Sequence, residues 1–74
     1  MEVIMKRFYI EEVKINTRPF TYHLLLTVEN KYKRANQEFK NYIKRYPGKE
    51  LMLTCATDEN CYSIASYGKV NHLF

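Results

Sequence analysis

The most regular stretch of the chain runs from residue 20 to 28, where Phe20, Tyr22, Leu24, Leu26 and Val28 alternate with Thr21, His23, Leu25 and Thr27. A period of two marks a strand with one apolar face, so the even positions are expected to face the core. Upstream, residues 3 to 15 alternate less cleanly. Phe8 and Ile10 share one face, with Arg7, Tyr9 and Glu11 on the other, while Val13 and Ile15 fall out of phase. A bulge near Glu11 and Glu12 accounts for the slip; otherwise the end of the strand faces the other way. Asn16-Thr17-Arg18-Pro19 joins the two strands as a turn, because Asn and Pro favour turns and proline cannot donate a central ladder bond.

The period changes after Asn30. Tyr32, Ala35, Phe39, Tyr42, Ile43 and Tyr46 recur at helical spacing and predict a helix over about residues 31 to 46, capped by Asn30 and packed on the sheet. Pro47 disfavours helical backbone at Tyr46, and Gly48 is placed to take the left-handed conformation after a helix end. Residues 50 to 57 and 61 to 67 then form a second hairpin around Asp58-Glu59-Asn60. Pairing Ala56 with Cys61 sets Leu51, Leu53 and Cys55 on one face with Ser66, Ile64 and Tyr62, the register that buries more apolar surface. The tail from 68 to 74 either docks on the sheet edge or stays loose. The expected fold is α+β: a β-β-α-β-β single domain spanning residues 1 to 74, with a four-stranded, mainly antiparallel sheet and one helix on one face.

Composition supports a packed core and limits what stabilises it. Hydrophobic residues make up 46% of the 74, with only 2 glycines and 2 prolines, which excludes a disordered chain. Cys55 and Cys61 are the only cysteines, and the opening Met1-Glu2-Val3-Ile4-Met5-Lys6-Arg7 does not read as a secretory signal. No apolar run exceeds three residues, as in Leu24-Leu25-Leu26, far short of the roughly 20 residues of a membrane span. These features give the expectation of a soluble cytoplasmic protein with two unbridged thiols and no membrane contact. Lys, Asn, Tyr and Ile outnumber Gly, Ala, Arg and Pro more than twofold, the bias of an AT-rich genome.

Charge is localised. Residues 1 to 30 balance to zero, whereas 31 to 49 carry seven basic groups against Glu38 alone. On a helical wheel Lys33, Arg34, Lys40, Lys44 and Arg45 spread over the side opposite the apolar stripe. Such a face is either a solvated surface or a patch for phosphate or an acidic protein. One helix leaves the other side of the sheet open, where Tyr9, Leu25, Met52 and Tyr67 are expected to form an apolar contact patch.

Catalytic chemistry is not signalled. His23, His72, Cys55 and Cys61 lack the spacing of a metal knuckle, and in the expected register the two cysteines point to opposite faces. Glu11-Glu12 and Asp58-Glu59 are neighbours that diverge along a strand or sit in a turn, so they do not supply converging acids. The expectation is therefore non-enzymatic: no cofactor, no metal, and a small protein-binding modulator, of the kind a phage or mobile element uses to inhibit a host protein with an acidic surface. The alternative is nucleic-acid binding through backbone contacts of the basic helix face. A homodimer through the sheet face or edge is compatible with either.

Overall fold

The alternating and helical periods resolve into five elements in the computed structural model, which describes residues 5 to 68. They are β1 (Arg7–Lys14), β2 (Thr21–Glu29), α1 (Tyr32–Arg45), β3 (Leu51–Ala56) and β4 (Cys61–Tyr67). The fold is the α+β arrangement expected, a four-stranded sheet in the order β2-β1-β3-β4 with every neighbouring pair antiparallel. Because β2 and β3 are both antiparallel to β1, they run parallel to each other with β1 between them. A parallel pair needs a long crossover, and α1 supplies it. Residues 3, 4 and 69 to 74, the expected start of the first strand and most of the tail, lie outside the described residues.

The core lies between α1 and the sheet. Phe8, Ile10, Val28, Leu51, Leu53 and Cys55 meet Ala35 and Phe39 of the helix, and Tyr42 and Ile43 pack at the margin. β3 is buried over five successive residues, Leu51 to Cys55. Its odd positions face the helix, while Met52 on the other face is covered by Val13, Ile15 and Phe20. At roughly 1.5 to 3 kcal/mol for each large apolar side chain buried, these two contact layers are the main favourable contribution to folding.

Both edge strands depart from the simple alternation. The ladder between β1 and β3 is continuous from Arg7 to Glu12, so β1 itself carries no bulge. The extra residue is Leu25 of β2, which lies between the pairs Ile10 with Leu26 and Glu11 with Leu24. Val28 and Leu26 therefore share the helix side with Phe8 and Ile10, but Leu24 and Tyr22 pair with Glu11 and Val13 on the open face. Leu24 is 52% exposed and Tyr22 48%, which corrects the expectation that all even positions of β2 face the core. Val13 and Ile15 turn away from the helix because β1 simply keeps its period. In β4 the pairs Ala56 with Cys61, Cys55 with Tyr62 and Thr54 with Ser63 follow the expected register. Ile64 is then the extra residue, and Ala65 and Tyr67 take the helix-side positions expected for Ile64 and Ser66.

The helix ends also differ from expectation. Asn30 does not cap α1; it adopts a left-handed φ of 56° and its N–H donates to the Lys6 carbonyl, extending the β1–β2 ladder by one bond. Lys31 holds the cap position, with no side-chain hydrogen bond. At the other end the chain leaves through Tyr46 at φ −131°, and the left-handed glycine is Gly68, not Gly48. At Gly68, with φ +92°, an added Cβ would come within 3.2 Å of the Lys49 carbonyl oxygen, so the chain can pass β3 closely there only as glycine.

Candidate functional site

The cations of α1 stand where the helical period puts them. Lys33, Arg34, Lys40, Lys44 and Arg45 are all exposed. Among the described residues none of the five has a carboxylate within ion-pair distance. Three acids of the sheet are engaged elsewhere. Glu29 pairs with Arg7 at 3.5 Å, and Glu11 accepts a hydrogen bond from Thr54 Oγ1. Glu12 accepts from Lys14 Nζ at 3.1 Å and Lys49 Nζ at 3.4 Å. Burial pushes the Glu12 carboxyl up, but the hydrogen bonds and charges of the two lysines outweigh it and hold the group below its ordinary range. Lys49 is thus the one cation of residues 31 to 49 with an acidic partner among the described residues.

At about 100° per residue, the core-facing residues Ala35, Phe39, Tyr42 and Ile43 define one direction and the cations divide into two flanks about it. Lys33, Lys40 and Lys44 form a row on the side to which Tyr32 leans, whereas Arg34 and Arg45 lie on the other with Glu38 between them. Arg45 sets its guanidinium over the Tyr42 ring, 5.5 Å from the centroid.

Beside the start of α1 is a partly open groove of about 480 Å³. Phe8 and Cys55 make its floor, Tyr32 stands on the helix side, Tyr62 and Ile64 on the β4 side, and Lys6 and Asn30 close one end. It exists because α1 packs over β1, β2 and β3 and leaves the first half of β4 uncovered. The Tyr32 ring meets Phe8 at 5.8 Å between centroids, and 54% of Tyr32 stays exposed. A hydrogen bond with the Cys55 thiol raises the Tyr62 hydroxyl above its ordinary pKa. The described residues contain no cluster of three His, Cys, Asp or Glu side chains able to hold a metal, and no helix long and apolar enough to cross a membrane. His72 lies outside the described residues.

Comparison of the chain with protein-family models, with curated proteins and with solved structures finds no match.

The four residues expected to share the open sheet face are not brought together. Leu25 and Tyr67 pack against the helix-side core, sent there by the bulges at Leu25 and Ile64. Tyr67 donates its hydroxyl to the Pro47 carbonyl at 3.2 Å. Met52 does lie on the open face but is only 6% exposed, and Tyr9 beside it is half-buried. The exposed apolar side chains on that face are Tyr22 and Leu24 instead. Cys55 is buried and Cys61 exposed on successive, oppositely directed positions, and both thiols are free. The groove residues Lys6, Tyr32, Tyr62 and Ile64 carried no signal as a set. Tyr62 and Ile64 read as core positions; the offset of α1 from β4 leaves both exposed, and the bulge takes Ile64 out of the ladder as well.

Proposed function

We propose that this chain is a non-enzymatic binding domain that engages an acidic protein surface through the outward face of α1 and modulates that partner by occupying it. The observation that carries the reading is the set of five exposed helix cations without an acidic partner among the described residues. Part of this arrangement works against the helix itself, although Lys44 and Arg45 in the last turn suit its dipole. Lys33 and Arg34 stand in the first turn, where the helix dipole is positive, and that turn has no acid and no side-chain cap. Lys40 and Lys44 are like charges four residues apart, a spacing that costs about 0.2 to 0.5 kcal/mol. A face kept only for solubility would serve equally well with both signs interspersed. Unpaired cations that destabilise their own element fit a surface whose counter-charges arrive with a partner, and they would speed the encounter with it.

The test compares the wild type with a Lys33→Glu, Lys40→Glu, Lys44→Glu triple variant in affinity capture from bacterial lysate, across a salt series. A partner retained at low salt, released as salt rises and lost by the variant supports the reading. Equal capture by both proteins overturns the role of α1. A parallel gel-shift assay with duplex DNA and with RNA reports the other class of polyanion. A salt-steep shift abolished by the same variant, with no protein captured, replaces the acidic protein with a phosphate backbone.

A further inference from the structure

We infer that the groove between the start of α1 and β4 is the anchoring pocket of this interface, taking one aromatic or long aliphatic side chain from an acidic segment of the partner. The inference rests on the proposed function and adds where the partner is held and by what chemistry. Interfaces draw most of their affinity from a few apolar side chains seated in pockets, with charged contacts around them setting orientation and encounter rate. A cationic face alone gives only weak, salt-screened attraction.

The groove meets the requirements of such an anchor. Its volume of about 480 Å³ lies within the range of ligand pockets. Its floor is Phe8 and Cys55, and its walls are the exposed side chains of Tyr32, Tyr62 and Ile64. Water in contact with these surfaces would be released by an apolar occupant. Among the lining residues the one charged side chain is a cation. Lys6 lines the groove, and the row Lys33, Lys40, Lys44 stands on the flank of α1 to which Tyr32 leans. No carboxylate is among the lining residues. A segment with an apolar side chain between acids is complementary on both counts, since the side chain fills the groove while the acids meet Lys6 and Lys33. A basic segment would meet like charge at Lys6 and along the lysine row of α1.

The experiment titrates the isotope-labelled full chain at low salt with three short peptides, followed by backbone amide shifts. One has aspartates around a single phenylalanine, the second has alanine at that position, and the third keeps the phenylalanine but replaces the acids with serine. The expected result is shifts at Tyr32, Cys55, Tyr62 and Ile64 with the first peptide, and binding about tenfold weaker for each of the others. Ile64→Asn, a change without charge at an exposed bulge position, is expected to weaken the phenylalanine peptide about tenfold and leave the alanine peptide unchanged. Lys6→Glu, which lies before β1, tests the charge without touching the core and is expected to weaken both acidic peptides. Equal binding of the first two peptides overturns the anchor while leaving the basic-face reading intact. Equal binding of the acidic and serine peptides overturns the charge pairing. Binding of none at low salt removes the proposed function as well. Groove amides that shift on dilution of the chain alone would assign the groove to a second copy, and the inference would fall.

Discussion

The two ends of α1 are built on opposite terms. At its C-terminal end Lys44 and Arg45 sit in the last turn, where a helix dipole favours cations, and Tyr42 stacks on Tyr46 at 6.1 Å. Arg45 and Lys49 lie over those rings, Lys49 and Lys14 share Glu12, and Tyr67 bonds the Pro47 carbonyl. At the N-terminal end there is no side-chain cap, no first-turn acid, two cations against the dipole and a groove alongside. The closed end holds the helix to the sheet, and the open end is left with unsatisfied charge and surface. Binding elements are drawn from the less stable parts of a structure, and the start of the helix, where the contact is proposed, is the less tied end.

Four measurements can break or sharpen this contrast, in order of expected size. Leu51→Ala, at a fully buried position near the closed end, is expected to lower unfolding free energy by about 2 to 5 kcal/mol in urea titration. Tyr32→Ala at the open end, where the residue is half-exposed, is expected to cost less than about 1 kcal/mol. Comparable losses would erase the distinction.

The second measurement concerns Glu12, whose carboxyl titrates lower in the folded chain than in the unfolded one. Its stabilisation is therefore full above the ordinary carboxylate range and is lost as pH falls through the folded value. Glu12→Gln is expected to flatten that part of the acid dependence and to cost about 1 kcal/mol at neutral pH, a modest figure because both lysines are half-exposed. An unchanged acid profile in thermal melts would remove Glu12 from the closed end. The third variant, Tyr67→Phe, deletes only the hydroxyl on Pro47 and is expected to cost about 0.5 kcal/mol, the low end for an exposed hydrogen bond. The smallest effect has the opposite sign. Lys33→Glu puts an acid in the first turn and is expected to raise stability by about 0.3 kcal/mol, the low end for an exposed charge at a helix start, while weakening the acidic peptides. Destabilisation would mean that Lys33 has a structural partner.

Much of this architecture could be read from residue order. Element types and order followed from the change of period at Asn30 and from the turn residues, and the pairing of Ala56 with Cys61 followed from matching apolar faces. The exposed cations of α1 followed from the same period, because a helix that buries Ala35 and Phe39 must turn Lys33, Lys40 and Lys44 away. What was not legible lies at single residues of the edge strands. Leu24 and Leu25 are chemically identical, so nothing local says which is the extra residue, and the choice decides whether Tyr22 and Leu24 are core or surface. Ile64 poses the same problem in β4.

The sequence by itself determined periods, turns and the cationic flank, since these depend on neighbours a few residues apart and on the geometry of one helix or strand. Only the tertiary structure decided the strand order, the two bulges, and the offset of α1 that uncovers Tyr62 and Ile64 beside Tyr32. Those outcomes depend on how whole elements share one core. A strand paired on one side can give up a residue of register where its partner and the helix packing demand it, whereas β1 and β3, held on both sides, keep theirs.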